Sequence, residues 1–284
     1  MTWIKLLLLY CSYSIGYCRY FDDDSYEIYI YKEEGKITKN KLSTSKNVSS
    51  LEIMSTNVPS IEPDSFCAIP NARTIKIIGN EVFPKITKKL FQCTPKLSYL
   101  TLDAAADANQ EIERNAFTDL TDLTSLRIND VNIPRLGKDM FVGLNLEILN
   151  LVGCNITEID SDSFSGMPNL KEVHLGHNSI RSIKPGTFKS LHHLKELMLN
   201  TNEFSEINWD QWDILPSLEV IDFADNPLVK CDVSKIREYF PIIEFFNLGG
   251  GFNATQKEAM IEESKRFNVN LTFTNYNTYE VIEE

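Results

Sequence analysis

The sequence predicts an α/β solenoid, in which short parallel strands stack into one sheet and each is followed by a return segment. Three observations predict it. From Leu146 onward apolar residues recur with a period of 24 residues, alternate apolar positions mark one short strand per period, and an Asn or Cys follows each strand at a fixed place. The unit reads Leu146-x-x-Leu149-x-Leu151-x-x-Cys154-x-Ile156-x-x-Ile159, then Phe164 and Met167. The next period gives Leu170, Val173, Leu175, Asn178, Ile180, Ile183, Phe188 and Leu191. Leu194, Leu197, Leu199, Asn202, Phe204, Ile207, Trp212 and Leu215 follow, and then Leu218, Ile221, Phe223, Asn226 and Leu228. A fixed period of this length means a solenoid, because one such unit cannot bury its own apolar face and gains stability by stacking on its neighbours.

The pattern is that of a leucine-rich repeat, and it predicts a horseshoe with a parallel sheet on the concave side. Alternate residues such as Leu149 and Leu151 enter the core, so the residues between them point outward. Along the chain that outward column reads Glu52, Lys76, Thr101, Arg127, Asn150, His174, Met198 and Asp222. The phenylalanine segment takes more width on the convex back. Asn80, Cys154, Asn178, Asn202 and Asn226 stand where the chain leaves the strand, and an inward Asn there can bond the backbone of adjacent turns. Before Leu146 the units are looser. Leu51/Ile53, Ile75/Ile77, Leu100/Leu102 and Leu126/Ile128 mark strands, Ile86 and Phe91 come one residue late, and an insertion over 103–110 delays Ile112 and Phe117. The total is about eight repeats, over residues 48–231.

The ends break the pattern, as the ends of repeat arrays do. Residues 19–47 are expected to form an N-terminal cap whose Glu27-Ile28-Tyr29-Ile30-Tyr31 alternation pairs with the open edge of the first repeat. Tyr20 and Tyr26, beside Asp22-Asp23-Asp24, give this segment a sharper reading as a sulfated docking tail. Residues 232–284 read as a C-terminal α/β cap. It should hold a short helix from Asp232 to Phe240, a strand near Ile243–Leu248, a turn at Gly249-Gly250-Gly251, and a helix opened by a capping box, Thr255-x-x-Glu258. A strand through Val269, Leu271 and Phe273 would close it.

A basic start, Leu6-Leu7-Leu8-Leu9 and small residues up to Gly16 predict a secretory signal peptide over residues 1–18, an apolar run too short to span a bilayer. Four sequons, at Asn47, Asn155, Asn253 and Asn270, agree with a secreted, extracellular address and predict glycosylation. Cys67 and Cys93 follow Phe66 and Phe91 in adjacent repeats, so stacking predicts a disulfide in that oxidising compartment. Cys154 should be a buried thiol. Cys231 is either another buried thiol or a bond to a second chain, so the protein is expected to be a monomer or a weak or Cys231-linked dimer.

A net charge of -12 argues against nucleic acid as a primary partner. His174 and His177 are placed on one repeat's strand face, with Glu172 and Asp225 nearby. However, the sequence carries no H-E-x-x-H, no nucleophile elbow and no Gly-rich phosphate loop, and an open sheet offers no closed pocket. The expectation is a binding protein with no catalysis, no metal and no cofactor. Its candidate binding residues are Lys76, Tyr99, Arg127, Asn150, His174, His177, Met198 and Asp222, with Ile148 as a further anchor.

The eight repeats, Phe66-Cys67 with Phe91-Gln92-Cys93, Asp225-Asn226-Pro227-Leu228, Phe246-Asn247-Leu248-Gly249-Gly250 and Phe252-Asn253-Ala254 resemble secreted insect leucine-rich-repeat proteins. The resemblance is nearest to the leucine-rich immune proteins of mosquitoes. That family commonly carries a cysteine where Ala254 stands, an N-terminal cysteine pair and a C-terminal coiled coil, and this sequence has none of these. The resemblance implies a short member that binds complement-like or other immune proteins, or another leucine-rich-repeat chain, in the haemolymph. A developmental, matrix or cell-adhesion ligand-binding protein and a secreted saliva or venom effector are the alternatives.

Overall fold

The computed structural model of the protein describes residues 17–21, 26–31, 35–43, 47–54, 60–80, 85–104, 112–113, 115–138, 140–141 and 143–276. The expected leader before residue 17, the Asp22-Asp23-Asp24 run, most of the 103–110 insertion and the side chains of Cys18, Tyr20, Tyr26 and Asn80 lie outside them. The fold is an α/β solenoid, and it divides into two compact units. The first holds the described residues up to Val131 with Gly143 and Leu144, and the second holds residues 132–141 and those from Asn145 onward.

In the first unit, β1 (Tyr17–Phe21) pairs antiparallel with β2 (Tyr26–Tyr31). A one-turn helix α1 (Lys39–Leu42) follows. Strand β2 then pairs in parallel with β3 (Val48–Met54), and β3 with β4 (Thr74–Asn80). After the one-turn helix α2 (Lys88–Phe91) come β5 (Tyr99–Ala104) and β6 (Ser125–Asn129), also parallel. Strands β2 to β6 each bury an alternate apolar pair: Ile28 and Ile30, Leu51 and Ile53, Ile75 and Ile77, Leu100 and Leu102, Leu126 and Ile128. Behind them Phe66, Phe91 and Phe117 form a buried spine, with ring centroids 5.9 and 6.1 Å apart. Offset aromatic contacts of this kind add roughly 0.5–1.5 kcal/mol per pair beyond area burial.

Cys67 and Cys93 sit just past two of those rings and are joined by a disulfide, with Cα atoms 4.8 Å apart. The late arrival of Phe91 does not prevent the bond, because Gln92 takes up the extra residue between the ring and the cysteine. The bridge closes a loop of 26 residues in sequence. Cys67→Ser is expected to cost about 3 kcal/mol of stability and to expose Cys93 to alkylation. Ready alkylation of Cys93 in the unsubstituted protein under non-reducing conditions would refute the bridge.

In the second unit, β7 (Arg135–Leu136) and β9 (Glu158–Ile159) form a small two-stranded parallel sheet of their own. The main strands are β8 (Ile148–Asn150), β10 (Glu172–His174), β11 (Glu196–Met198), β12 (Val220–Asp222), β13 (Phe245–Asn247) and β14 (Leu271–Thr272). They pair in parallel in that order. Phe164 stacks on Phe188 at 5.6 Å, Phe188 meets Trp212 at a tilt at 5.9 Å, and Trp212 meets Phe240 edge-on at 5.8 Å.

The ladder asparagines bind the turns together. Asn178 Oδ1 accepts from the Ile156 N–H at 2.9 Å, and its Nδ2 donates to the carbonyls of Leu151, Leu175 and Gly176. Asn202 and Asn226 repeat the arrangement one and two turns on. Cys154 occupies the same place, fully buried, with its Sγ 3.6 Å from the Val152 carbonyl, a weaker substitute. The residue before each of these four adopts positive φ: Gly153, His177, Thr201 and Asp225. The chain leaves each strand through this left-handed kink, which swings the next side chain inward.

Toward the C-terminus, a 3-10 turn at Val233–Lys235 runs into α3 (Ile236–Tyr239). Helix α4 (Ala254–Arg266) is capped by Asn253 and Gln256, not by the expected Thr255 and Glu258. Asn253 Oδ1 accepts from Gln256 N–H while Gln256 Oε1 accepts from Asn253 N–H, both at 2.9 Å. Asn caps as well as Thr or better, so a box two residues before the expected one sets the start.

Candidate functional site

The outward face of the strands was the expected binding surface, and each unit presents its own part of it. In the first unit, Lys76 on β4, Thr101 on β5 and Arg127 on β6 share one row, and Tyr99 stands two residues before Thr101. Tyr99 is 55% exposed and Arg127 is exposed. Lys76 is half-buried and tied to Glu52 across the neighbouring strand at 2.5 Å. Tyr99 pairs with Ser125 and Arg127 with Thr101, so the exposed ring and guanidinium lie diagonally across β5 and β6.

In the second unit the row Asn150, His174, Met198, Asp222 is split in two. His174 and Met198 are half-exposed, but Asn150 and Asp222 are only 8% and 2% exposed, against the outward exposure expected of them. Both turn back on their own chain. Asn150 Oδ1 accepts from the Val152 N–H at 3.1 Å, and Asp222 Oδ1 from the Ala224 N–H at 2.8 Å. A short side chain carrying an acceptor at a strand end closes such a local turn.

Asp222 is covered further by the end of the described chain. Its Oδ1 also accepts from Asn247 Nδ2 at 2.8 Å, and its Oδ2 accepts from the Tyr276 hydroxyl. Asn247 brackets Thr274 through both backbone groups, at 3.0 and 3.1 Å, and Asn275 Oδ1 accepts from the Asp225 N–H at 3.0 Å. Residues 274–276 therefore strap the outward face at β12 and β13. Nothing local in the sequence announced this, since Tyr276 meets Asp222 across 54 residues.

His177 is also displaced from its expected place. It lies beyond the end of β10 at φ +54°, exposed, in the kink that precedes Asn178. His174 instead has Glu172 and Glu196 for neighbours. Register sets Glu196 directly opposite Glu172, and the two carboxylates and the imidazole each offer an atom within 4.8 Å of the others. Ile148, paired with Glu172 on the other side, and Met198, paired with His174, supply half-exposed apolar borders.

Away from this face, on β7 and β9, Arg135 holds Asp160 through two nitrogens, with Nη2 at 2.8 Å. Lys184 bonds Glu158. The Arg135 hydrogen bond first, and Lys184 second, hold the Asp160 carboxyl below its ordinary range; the Lys184 bond and the Arg135 charge do the same for Glu158. These are half-exposed to exposed charges that satisfy one another, and such pairs add little to stability. Cys231 is half-buried, and burial together with Asp232 and Glu263 pushes its thiol up from the ordinary range. No helix among the described residues is long and apolar enough to cross a membrane.

Comparisons with known proteins agree on the fold. The profile described as "Leucine rich repeat" matches residues 145–187 and 168–228, and that of the "BspA type Leucine rich repeat region (6 copies)" matches 14–110 and 35–151. Among curated relatives, the leucine-rich repeat-containing G-protein coupled receptor 5 of Xenopus tropicalis is 30% identical over 194 residues. The match covers 68% of this chain and 21% of the receptor, so the chain spans about a fifth of that relative's length. Two solved structures superpose over 78% of the chain. The TLR13–ssRNA13 complex does so with a TM-score of 0.68 at 24% identity, over 31% of that chain. The Toll–Spatzle complex, described as a hub in Drosophila development and innate immunity, does so with 0.59 at 16% identity, over 34% of that chain.

Proposed function

We propose that this chain, which belongs to the leucine-rich-repeat family, is a secreted protein-binding scaffold, a recognition or adaptor protein of innate immunity that engages another extracellular protein. One observation carries the reading. In the second unit the outward strand face has a half-exposed polar group, Glu172, His174 and Glu196, bordered by Ile148 and Met198. A charged centre with apolar anchors at its edge is what a protein partner uses for specificity and for area. Exposed Tyr99 and Arg127 offer the same combination in the first unit, and both residue types are enriched among binding hot spots.

Secretion draws on several independent features. The apolar start of the sequence reads as a leader, the Cys67–Cys93 disulfide suits an oxidising compartment, and all four sequon asparagines, Asn47, Asn155, Asn253 and Asn270, are exposed. The net charge of -12 favours a protein partner over the RNA bound in the TLR13 complex. The immune reading rests on the residue resemblance to mosquito leucine-rich immune proteins; a complement-like protein or a second leucine-rich-repeat chain is the partner it suggests. A developmental role is the alternative, because the Toll–Spatzle complex is described as serving both. A monomer and a weak or Cys231-linked dimer both fit this reading, with Cys231 free and half-buried in the single chain.

The test is affinity capture from haemolymph with mass spectrometry, using the unsubstituted protein, an Ile148→Glu/Met198→Glu variant and a Tyr99→Ala/Arg127→Glu variant. At least a tenfold loss of the recovered partner, about 1.4 kcal/mol or more, is expected for one of the two variants. Equal recovery by all three would remove the strand face as the binding surface.

A further inference from the structure

We propose that Glu172, His174 and Glu196 form a binding site for one divalent transition-metal ion, zinc by the chemistry of its donors, on the outward face of β10 and β11. The expectation from sequence was no metal, because the residues follow no metal motif. Three-dimensional placement supplies what the spacing did not. Glu172 and His174 are two residues apart on one strand and share its outward face, while Glu196 sits directly across from Glu172 on the next strand. The three donor atoms lie within 4.8 Å of one another. Zinc takes imidazole and carboxylate donors at roughly 2.0–2.2 Å, so three donors this close can share one ion.

Two separate features point to a cation. Like charges set directly opposite across a strand pair destabilise it, and the nearby Lys195 acts on Glu196 only through its charge while its salt bridge goes to Glu219. In addition, His174 Nε2 is buried with no hydrogen-bond partner, 3.7 Å from Glu172 Oε2. A buried nitrogen left unsatisfied is costly, and a metal ion answers both the repulsion and the orphaned nitrogen. The arrangement is also not a requirement of the repeat. The matching positions hold Ile148 and Asn150 on one neighbouring strand and Val220 and Asp222 beyond the other. Nitrogen together with carboxylate oxygen selects zinc over calcium or magnesium. Three protein donors leave a fourth position, on the solvent side, for water or for a side chain brought by a partner. The inference stands on donor geometry and does not depend on the immune reading.

The experiment is isothermal titration of the full secreted chain, without a polyhistidine tag and dialysed free of chelator, with zinc chloride alone. Calcium and magnesium chloride are titrated in parallel. One saturable zinc equivalent is expected, with much weaker response to calcium and magnesium. Glu196→Gln should weaken zinc binding on the order of tenfold or more and His174→Ala should abolish it, whereas His177→Ala, in the exposed kink, should bind as the unsubstituted protein does. Circular dichroism melts of each variant show that it is folded. No zinc binding, equal affinity for calcium, or affinity unchanged in both Glu196→Gln and His174→Ala would overturn the assignment.

Discussion

Asn202→Ala is expected to lower the unfolding free energy by about 3 kcal/mol, a large fraction of the stability of an ordinary domain. Asn202 is 6% exposed and uses both ends of its amide. Oδ1 accepts from the Ile180 N–H at 3.0 Å, while Nδ2 donates to the carbonyls of Leu175 at 2.8 Å, Leu199 at 3.1 Å and Asn200 at 3.3 Å. Alanine removes all of these. Leu175 and Leu199 carbonyls keep a second donor each, from Asn178 and Asn226. The Ile180 N–H keeps nothing, and a buried donor without a partner costs ~1–3 kcal/mol by itself. Asn202→Asp should be at least as harmful, since it keeps the acceptor but turns a carboxylate oxygen toward three carbonyls. Urea unfolding with both variants and with half-exposed Asn200→Ala as reference checks this. A loss below about 1 kcal/mol for Asn202→Ala would mean that the ladder amide does not tie the turns together.

The same residue shows why so much of the fold was legible. An Asn that recurs every 24 positions after an apolar alternation has one structural explanation, and Leu149/Leu151 through Ile221/Phe223 entered the core as the alternation required. Strand faces follow from period 2, and a period cannot be shifted without turning every side chain over. The site was less legible because its positions are the ones the period leaves undetermined. Asn150 and Asp222 share a column with His174 and Met198, yet their short acceptors fold back on Val152 and Ala224. Strand-end Asn and Asp could have signalled that local turn. The pairing of Glu172 with Glu196 could also have been read, since both stand one place before an inward strand residue in successive periods. The strap of residues 274–276 could not, because its contacts with Asp222, Asp225 and Asn247 are made entirely at long range.

Gly251→Ala is expected to cost about 3 kcal/mol or more, beyond the usual range of a surface substitution. From sequence, Gly249-Gly250-Gly251 is only a turn. In the structure the three glycines answer to different demands. Gly249 has φ +70°, open to glycine and poorly to others. A Cβ on Gly250 would lie 2.3 Å from Asn275 Nδ2, a side-chain atom that can rotate away at the expense of the Asn275 bond to Asp225. A Cβ on Gly251 would lie 1.8 Å from the Leu228 carbonyl oxygen and 2.8 Å from its carbon, and backbone cannot rotate away. Relief requires the segment leading to Phe252 to move, and Phe252 is buried against Phe273 with ring centroids 5.9 Å apart. The expected order of damage is therefore Gly251→Ala, then Gly250→Ala, then Gly166→Ala, which meets nothing within 4 Å and should change stability by less than about 0.5 kcal/mol. Thermal melts of the three variants read out the order directly. If Gly251→Ala melts with the unsubstituted protein, the chain after β13 does not lie against Leu228, and the closure of the core at this end is built differently.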